Sequence, residues 1–243
     1  MKNIQDMGSM ASSIFAGNCD QSTLKLLYSE TAELFADLIR NNLPQNPPYR
    51  ILDAGAYKGE LMSSIMDRIG QRSNFNITAT DVNGKALDEN TSADRKVEAD
   101  LTELPFGNKE FDLACARYVL AWNNVSRQQS ILENLNRVSR KVILQHAGAD
   151  DTDTVSWQKR MHNLLGGKVP KLLRSECYFS SAQEIEGWLK ASGIAYRRVQ
   201  YRRVDFVSRV FIERYGLGEK EALEVLRILG DKDYIFQTTW IIE

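Results

Sequence analysis

Three aspartates, Asp53, Asp81 and Asp100, each follow a short apolar run: Ile51-Leu52, Ile77 to Thr80 and Val97 to Ala99. Gly55 and Gly59 come directly after the first of them. Such a run reads as a buried strand ending in a turn, because glycine permits the positive φ and the close backbone approach that the turn requires. Asp81 stands 22 residues beyond Gly59, near the spacing of about 20 at which an acidic side chain reaches ribose hydroxyls. Three carboxylates on one edge repel one another unless a ligand or a basic partner meets them. Each alone reads equally well as a helix cap or a turn former. Together with the glycine turn they point to a nucleoside site.

The segments that must position these residues alternate in period. Residues 1–20 lack periodicity and are expected to form a mobile arm or a cap that orders over a ligand. From residue 21 to about 43, Leu24, Leu27, Tyr28, Thr31, Leu34, Phe35, Leu38 and Ile39 recur at helical spacing, and Pro44, Pro47 and Pro48 stop the helix. Then come a strand at 50–53, a helix at 61–69, a strand at 75–80, a helix at 85–91, a strand at 96–99, a strand at 111–116, a helix at 126–139 and a strand at 141–145. An acidic stretch around 148–180, with a short helix near 157–165, reads as an insertion or lid rather than a domain. A helix at 182–191, a strand at 195–204, two helices between 207 and 229 and a last strand at 234–242 complete a single domain. Strands alternating with helices require right-handed crossovers, so the fold class is α/β, a mostly parallel sheet with helices on both faces.

Composition narrows the function. The 243 residues carry a net charge of -1, with 43% hydrophobic and 26% charged residues, and this balance lacks the basic footprint of a nucleic-acid binder. The arginines Arg197, Arg198, Arg202 and Arg203 around Tyr196 and Tyr201 read as a solvated strand face. No apolar run approaches the roughly 18 to 20 residues that span a bilayer. Cys19, Cys115 and Cys177 are far apart, and with only His146 and His162 no zinc cluster is expected. Phe15 to Cys19 faintly matches a lipoprotein cleavage box, but no apolar stretch precedes it. Reduced cysteines and a cytoplasmic protein are the expectation. Walker, HExxH and GxSxG motifs are missing from the sequence.

Four segments in order, Ile51-Leu-Asp-Ala-Gly-Ala-Tyr-Lys-Gly59, Ala79-Thr-Asp-Val82, Glu98-Ala-Asp-Leu101 and Leu104 to Leu113, resemble the motifs of class I S-adenosylmethionine-dependent methyltransferases. The subgroup acting on quinones and other small molecules is the most similar. The resemblance implies a Rossmann-like seven-stranded sheet with an antiparallel final hairpin, and S-adenosyl-L-methionine as cofactor. It further implies that the loop of Asp53, Gly55, Tyr57 and Gly59 holds the methionine portion. Asp81 would hold the ribose and Val82 one face of adenine, with Asp100 accepting from the adenine amino group beside the Leu101 amide. Ala116 and Arg117 match the segment that closes over the cofactor and faces the acceptor. Tyr57 stands where that loop usually has a further glycine, and it either points outward over the cofactor or blocks it.

Methyl transfer needs alignment and exclusion of water more than covalent help. His146, expected just past the fifth strand, is the candidate base if the acceptor carries a proton, or else a histidine bonded structurally at a strand end. Arg117 and Tyr118 could hold an anionic or aromatic acceptor, or could pair with a carboxylate and fill the core. Trp122, Asn123 and, in the lid, Trp157 suit a flat apolar acceptor or ordinary packing. A nicotinamide oxidoreductase would share the first two strands but should show GxGxxG, of which only Gly55 and Gly59 match. A noncatalytic module that senses the nucleoside or pairs with a partner is the other alternative. The residues after the fourth strand lack the Asp/Asn-Pro-Pro-aromatic motif of nucleic-acid methylation, so the expected partner is a small-molecule methyl acceptor.

Overall fold

A computed structural model of the chain describes residues 21–148, 178, 180–205, 219, 220, 223 and 234–243. The expected arm over 1–20 lies outside the described residues, as do most of the lid at 148–180, with Trp157, and most of the helical region at 207–229.

Seven strands form one sheet: β1 Tyr49–Ala54, β2 Phe75–Asp81, β3 Arg95–Glu98, β4 Phe111–Arg117, β5 Ser139–Gly148, β6 Tyr196–Asp205 and β7 Tyr234–Ile242. Their order is β3-β2-β1-β4-β5-β7-β6. The first five run parallel, while β7 is antiparallel to both β5 and β6. This is the mostly parallel Rossmann-like arrangement with a terminal hairpin that the motifs implied. Strand order reverses where β1 lies between β2 and β4, and in an open parallel sheet that point opens a crevice beyond the carboxyl ends.

The helices follow from the period of their apolar residues. Helix α1 (Gln21–Asn42) buries Ala32, Phe35, Ala36 and Ile39, and α2 (Glu60–Ile69) buries Met62, Ile65 and Met66. Both cover the sheet face formed by Ile51, Ile77, Leu113, Cys115 and Ile143. Helix α4 (Val125–Val138) and α5 (Ala182–Ala191) cover the other face, where Ile131, Leu135, Ile185 and Leu189 meet Leu52, Ala114, Val142, Leu144 and Trp240. Asn124 caps α4, and Ser181 with Glu184 forms a capping box on α5. Helix α3 (Gly84–Asp88) is shorter than expected: Asn83 caps its start, and the chain leaves it at Glu89. No described helix is long and apolar enough to cross a membrane.

Two boundaries bear on the site. Strand β3 stops at Glu98, so Asp100 sits in the loop beyond it. Strand β5 runs to Gly148 rather than to residue 145, because β7 pairs with it as far as Gly148↔Phe236. His146 is therefore inside the strand, opposite Thr238, and not past its end.

Strand β7 thus sets the register of this whole edge, and Trp240 anchors it. The indole is fully buried and donates to Glu186 Oε1 at 2.9 Å. Burial alone would raise the Glu186 carboxyl, but hydrogen bonds from Arg198 and Trp240 hold it below its ordinary range. Trp240→Ala removes the largest buried side chain and should lower the unfolding free energy by about 3–5 kcal/mol, measured by urea titration against the parent protein.

Candidate active site

The glycine turn is stitched to the end of the neighbouring strand. The amides of Gly55 and Ala56 both donate to the Thr80 carbonyl, at 2.9 and 3.0 Å, and the Tyr57 amide donates to Asp81 Oδ2 at 2.9 Å. Gly55 has φ 72, and a Cβ there would lie 2.4 Å from Val119 Cγ1, so only glycine fits. Tyr57 has φ 49: it adopts the left-handed conformation that a glycine would take freely, at a cost of about 1–2 kcal/mol. Its backbone thereby makes the turn that a glycine would make. The ring is partly exposed, with Lys58 Nζ 5.8 Å from its centroid, and Lys58 pairs with Glu89 at 2.6 Å. Gly59 has φ 82 and abuts Asn90 and Ser92, the Asn90 Oδ1 lying 2.4 Å from where a Cβ would be.

The three carboxylates have three different environments. Asp53 lies beside Ala79 and Cys115 on the adjoining strands and is 8% exposed. Among the described residues no group donates to its carboxylate, and burial, with Asp81 and then Glu60 nearby, pushes it up to about 7. Asp81 accepts from Tyr57 N at Oδ2 and from Asn83 N at Oδ1, each at 2.9 Å. Burial still raises it, against the opposing hydrogen bonds from the Asn83, Tyr57 and Val82 amides. Asp100 accepts from Thr102 N at 2.9 Å and from Arg127 Nη2 at 2.9 and 2.7 Å. Burial would raise Asp100, but the Thr102 amide and the Arg127 guanidinium hold it below its ordinary range. Val82 is half-buried at the end of β2, and the Leu101 side chain turns into the core with Leu104 and Phe106.

Beyond β1, the end of β4 supports a second set of polar groups. Ala116 is buried, and Arg117 Nε donates to Gln145 Oε1 at 3.2 Å. Tyr118 has φ 57, its amide donates to the Gln145 carbonyl at 2.8 Å, and the Arg117 guanidinium lies 4.1 Å from its ring centroid. The Tyr118 hydroxyl accepts from Gln237 Nε2, and Gln237 Oε1 accepts from Arg202 Nε at 2.6 Å. Arg202 also pairs with Glu30 on α1 at 2.7 Å, while Thr31 Oγ1 donates to Gln145 Oε1 at 3.3 Å. Helix α1 is thus tied to this edge by polar contacts. Gln145, Gln237 and Thr239 escaped the sequence reading. Their only signal is polarity inside apolar strands, since all three are fully buried.

His146 is 1% exposed and faces Ser180, its Nε2 lying 3.0 Å from that carbonyl. A carbonyl can only accept, so Nε2 carries the hydrogen and Nδ1, which has no partner among the described residues, is the lone-pair nitrogen. Burial pushes its pKa down to about 4, against the raising effects of the Ser180 carbonyl and Glu184. The ring is neutral at pH 7. Successive strand residues point to opposite faces, so His146 lies on the α4–α5 face and Gln145, which meets Thr31 of α1, on the other. The structure therefore brings Arg117 and Tyr118 together but not His146 with them. Asn123 is braced by Arg127 Nε at 2.9 Å, whereas the Trp122 side chain lies outside the described residues.

A family model described as a methyltransferase domain matches residues 28–199. The chain belongs to that methyltransferase family. No curated relative matches it in sequence. Among solved structures, this methyltransferase is similar to the YcgJ protein of Bacillus subtilis, with TM-score 0.65 and 16% identity over 85% of this chain and 96% of the other. It is also similar to a magnesium protoporphyrin IX methyltransferase from Synechocystis PCC 6803 with bound S-adenosylhomocysteine, with TM-score 0.59 and 13% identity over 97% and 93% of the chains. A geranyl diphosphate C-methyltransferase from Streptomyces coelicolor A3(2) matches with TM-score 0.55 and 10% identity over 86% and 79%. At these identities the likeness is one of fold.

The raised Asp53 generates a pH dependence. Its folded value, about 7, lies above its ordinary value of 3.8, so its stabilising contribution is complete below about 4 and is lost as pH rises through about 7. Asp53→Asn removes this loss. The variant should gain stability relative to the parent protein between pH 5 and pH 8, by an amount on the order of a few kcal/mol; urea unfolding of both proteins at the two pH values measures the difference.

Proposed function

We propose that this methyltransferase moves the methyl group of S-adenosyl-L-methionine to a small-molecule acceptor by in-line displacement. The observation that carries the reading is the row of carboxylates Asp53, Asp81 and Asp100 along the crevice, with Asp53 buried and without a donor among the described residues. A cation bearing an ammonium, ribose hydroxyls and an exocyclic amine supplies donors for such a row. The residues present fit the cofactor. Asp53 with the turn of Gly55, Tyr57 and Gly59 would hold its methionine portion, Asp81 the ribose, Val82 one face of adenine, and Asp100 with the Leu101 amide the adenine edge. When bound, the cofactor would supply an electrophilic sulfonium methyl group, with S-adenosylhomocysteine as the leaving product.

The protein's part is alignment. Ala116 and Arg117 end the strand that faces the acceptor, and the Tyr118 hydroxyl, fixed by Gln237, offers a polar contact to it. His146, buried on the opposite sheet face with its pKa pushed down to about 4, is left out of this contact. The motif resemblance favours a flat acceptor of the quinone kind, and the solved relatives named for a porphyrin and a prenyl diphosphate have small molecules in their names.

Calorimetric titration tests this reading. S-adenosylmethionine and S-adenosylhomocysteine should bind and NAD should not. Asp81→Asn should weaken both by roughly 10- to 100-fold. Affinity for the cationic donor should rise as pH passes upward through about 7, where Asp53 ionises. Binding of NAD alone would replace the reading with nicotinamide chemistry.

A further inference from the structure

Arg127 occupies the first turn of α4, a helix with no acidic residue in that turn. A cation there opposes the helix dipole, which favours negative charge at the N-terminus. A residue that contradicts its local preference is held by something else. Here the Arg127 side chain is mostly buried, at 28% exposure against 14% for the Asp100 side chain. Its Nη2 donates to both oxygens of Asp100, at 2.9 and 2.7 Å, while Nε donates to Asn123 Oδ1 at 2.9 Å. Asn123 is fixed in turn, since its Nδ2 donates to the Val119 carbonyl at 2.9 Å and its own carbonyl accepts from Gln128 at 2.8 Å. Thr102 N–H reaches Asp100 Oδ1 from the opposite direction in sequence, at 2.9 Å. The carboxylate is therefore gripped from two sides and cannot rotate without breaking an ion pair.

We infer that Arg127 is a positioning residue for purine selection: by holding the Asp100 carboxylate in one orientation it makes the site prefer a 6-amino purine to a 6-oxo purine. This rests on Asp100 being the acceptor from the adenine amino group. A fixed carboxylate is an acceptor only. It pairs with a 6-amino group and meets the oxygen of a 6-oxo group as a second acceptor. Without the guanidinium the carboxyl can turn. Held then only from the Thr102 side, it can rotate away from a 6-oxo oxygen as readily as toward a 6-amino group. Loss of Arg127 should accordingly relax the choice of base rather than weaken binding uniformly.

The test is titration of S-adenosylhomocysteine and its deaminated counterpart S-inosylhomocysteine into the parent protein, Arg127→Met, Arg127→Lys and Asp100→Asn. The parent should prefer the adenine ligand by roughly 10- to 100-fold. Arg127→Met should lose most of that ratio, and Arg127→Lys, a point charge without the fork, should retain part of it. If both affinities of Arg127→Met fall by the same factor and the ratio stands, the role is structural and the proposal is overturned. Arg127→Lys carries the same test should Arg127→Met fail to fold: a parental ratio there would overturn it as well. A parent protein with no preference, and Asp100→Asn with unchanged affinities, would instead remove the reading of Asp100 itself.

Discussion

The hydrogen bond from the Tyr57 amide to Asp81 sets the geometry of the crevice. It joins the turn after β1 to the end of β2 at the point where strand order reverses, and the Asn83 amide on the same carboxylate fixes the start of α3. With Thr80 accepting from Gly55 and Ala56, the backbone of the turn is committed before any ligand arrives. Tyr57 accepts a left-handed backbone to make this bond. The strain is of the size that tertiary contacts routinely hold at ligand sites.

Around that turn the charge of the three carboxylates is handled unequally. Asp100 is neutralised by Arg127, Asp81 is met by amide dipoles, and Asp53 has neither among the described residues. Three identical side chains at or just beyond the ends of β1, β2 and β3 thus become a fixed anion, a polarised acceptor and a buried group poised near neutrality. The division follows from their neighbours: Asp53 is flanked by Ala79 and by the weakly donating thiol of Cys115, with no hydrogen bond to its carboxylate among the described residues, whereas Asp100 lies in a loop that α4 can reach. A site for a cation of several functional groups needs such differences, because one uniform patch of negative charge would not orient it.

Beyond the end of β4 the constraint is the packing of buried polar groups. Gln145, Gln237 and Thr239 are fully buried, and hydrogen bonds link them to Thr31 of α1, to Arg117, to Tyr118 and to Arg202. A buried amide without partners is costly, so this network specifies how α1 and β7 seat on the sheet. It also holds Tyr118 in a left-handed conformation at the end of β4.

Residue type and spacing in the chain determined the alternation of strands and helices, the turn at Gly55 and Gly59 and the placement of Asp53 and Asp81 at the ends of β1 and β2, because alternation of period and strand-end residues are local properties, while the methyltransferase class came from the motif resemblance. Only the tertiary structure decided that His146 lies inside β5 and on the opposite face from Gln145, since the strand's length depends on pairing with β7, which is distant in sequence. Equally invisible was Arg127, whose partner Asp100 is 27 residues away. In sequence it is one more charged residue on an amphipathic helix. The raised Asp53 carboxyl and the lowered Asp100 carboxyl could not be told apart beforehand, because a pKa is set by what surrounds a group in space and not by what adjoins it in the chain.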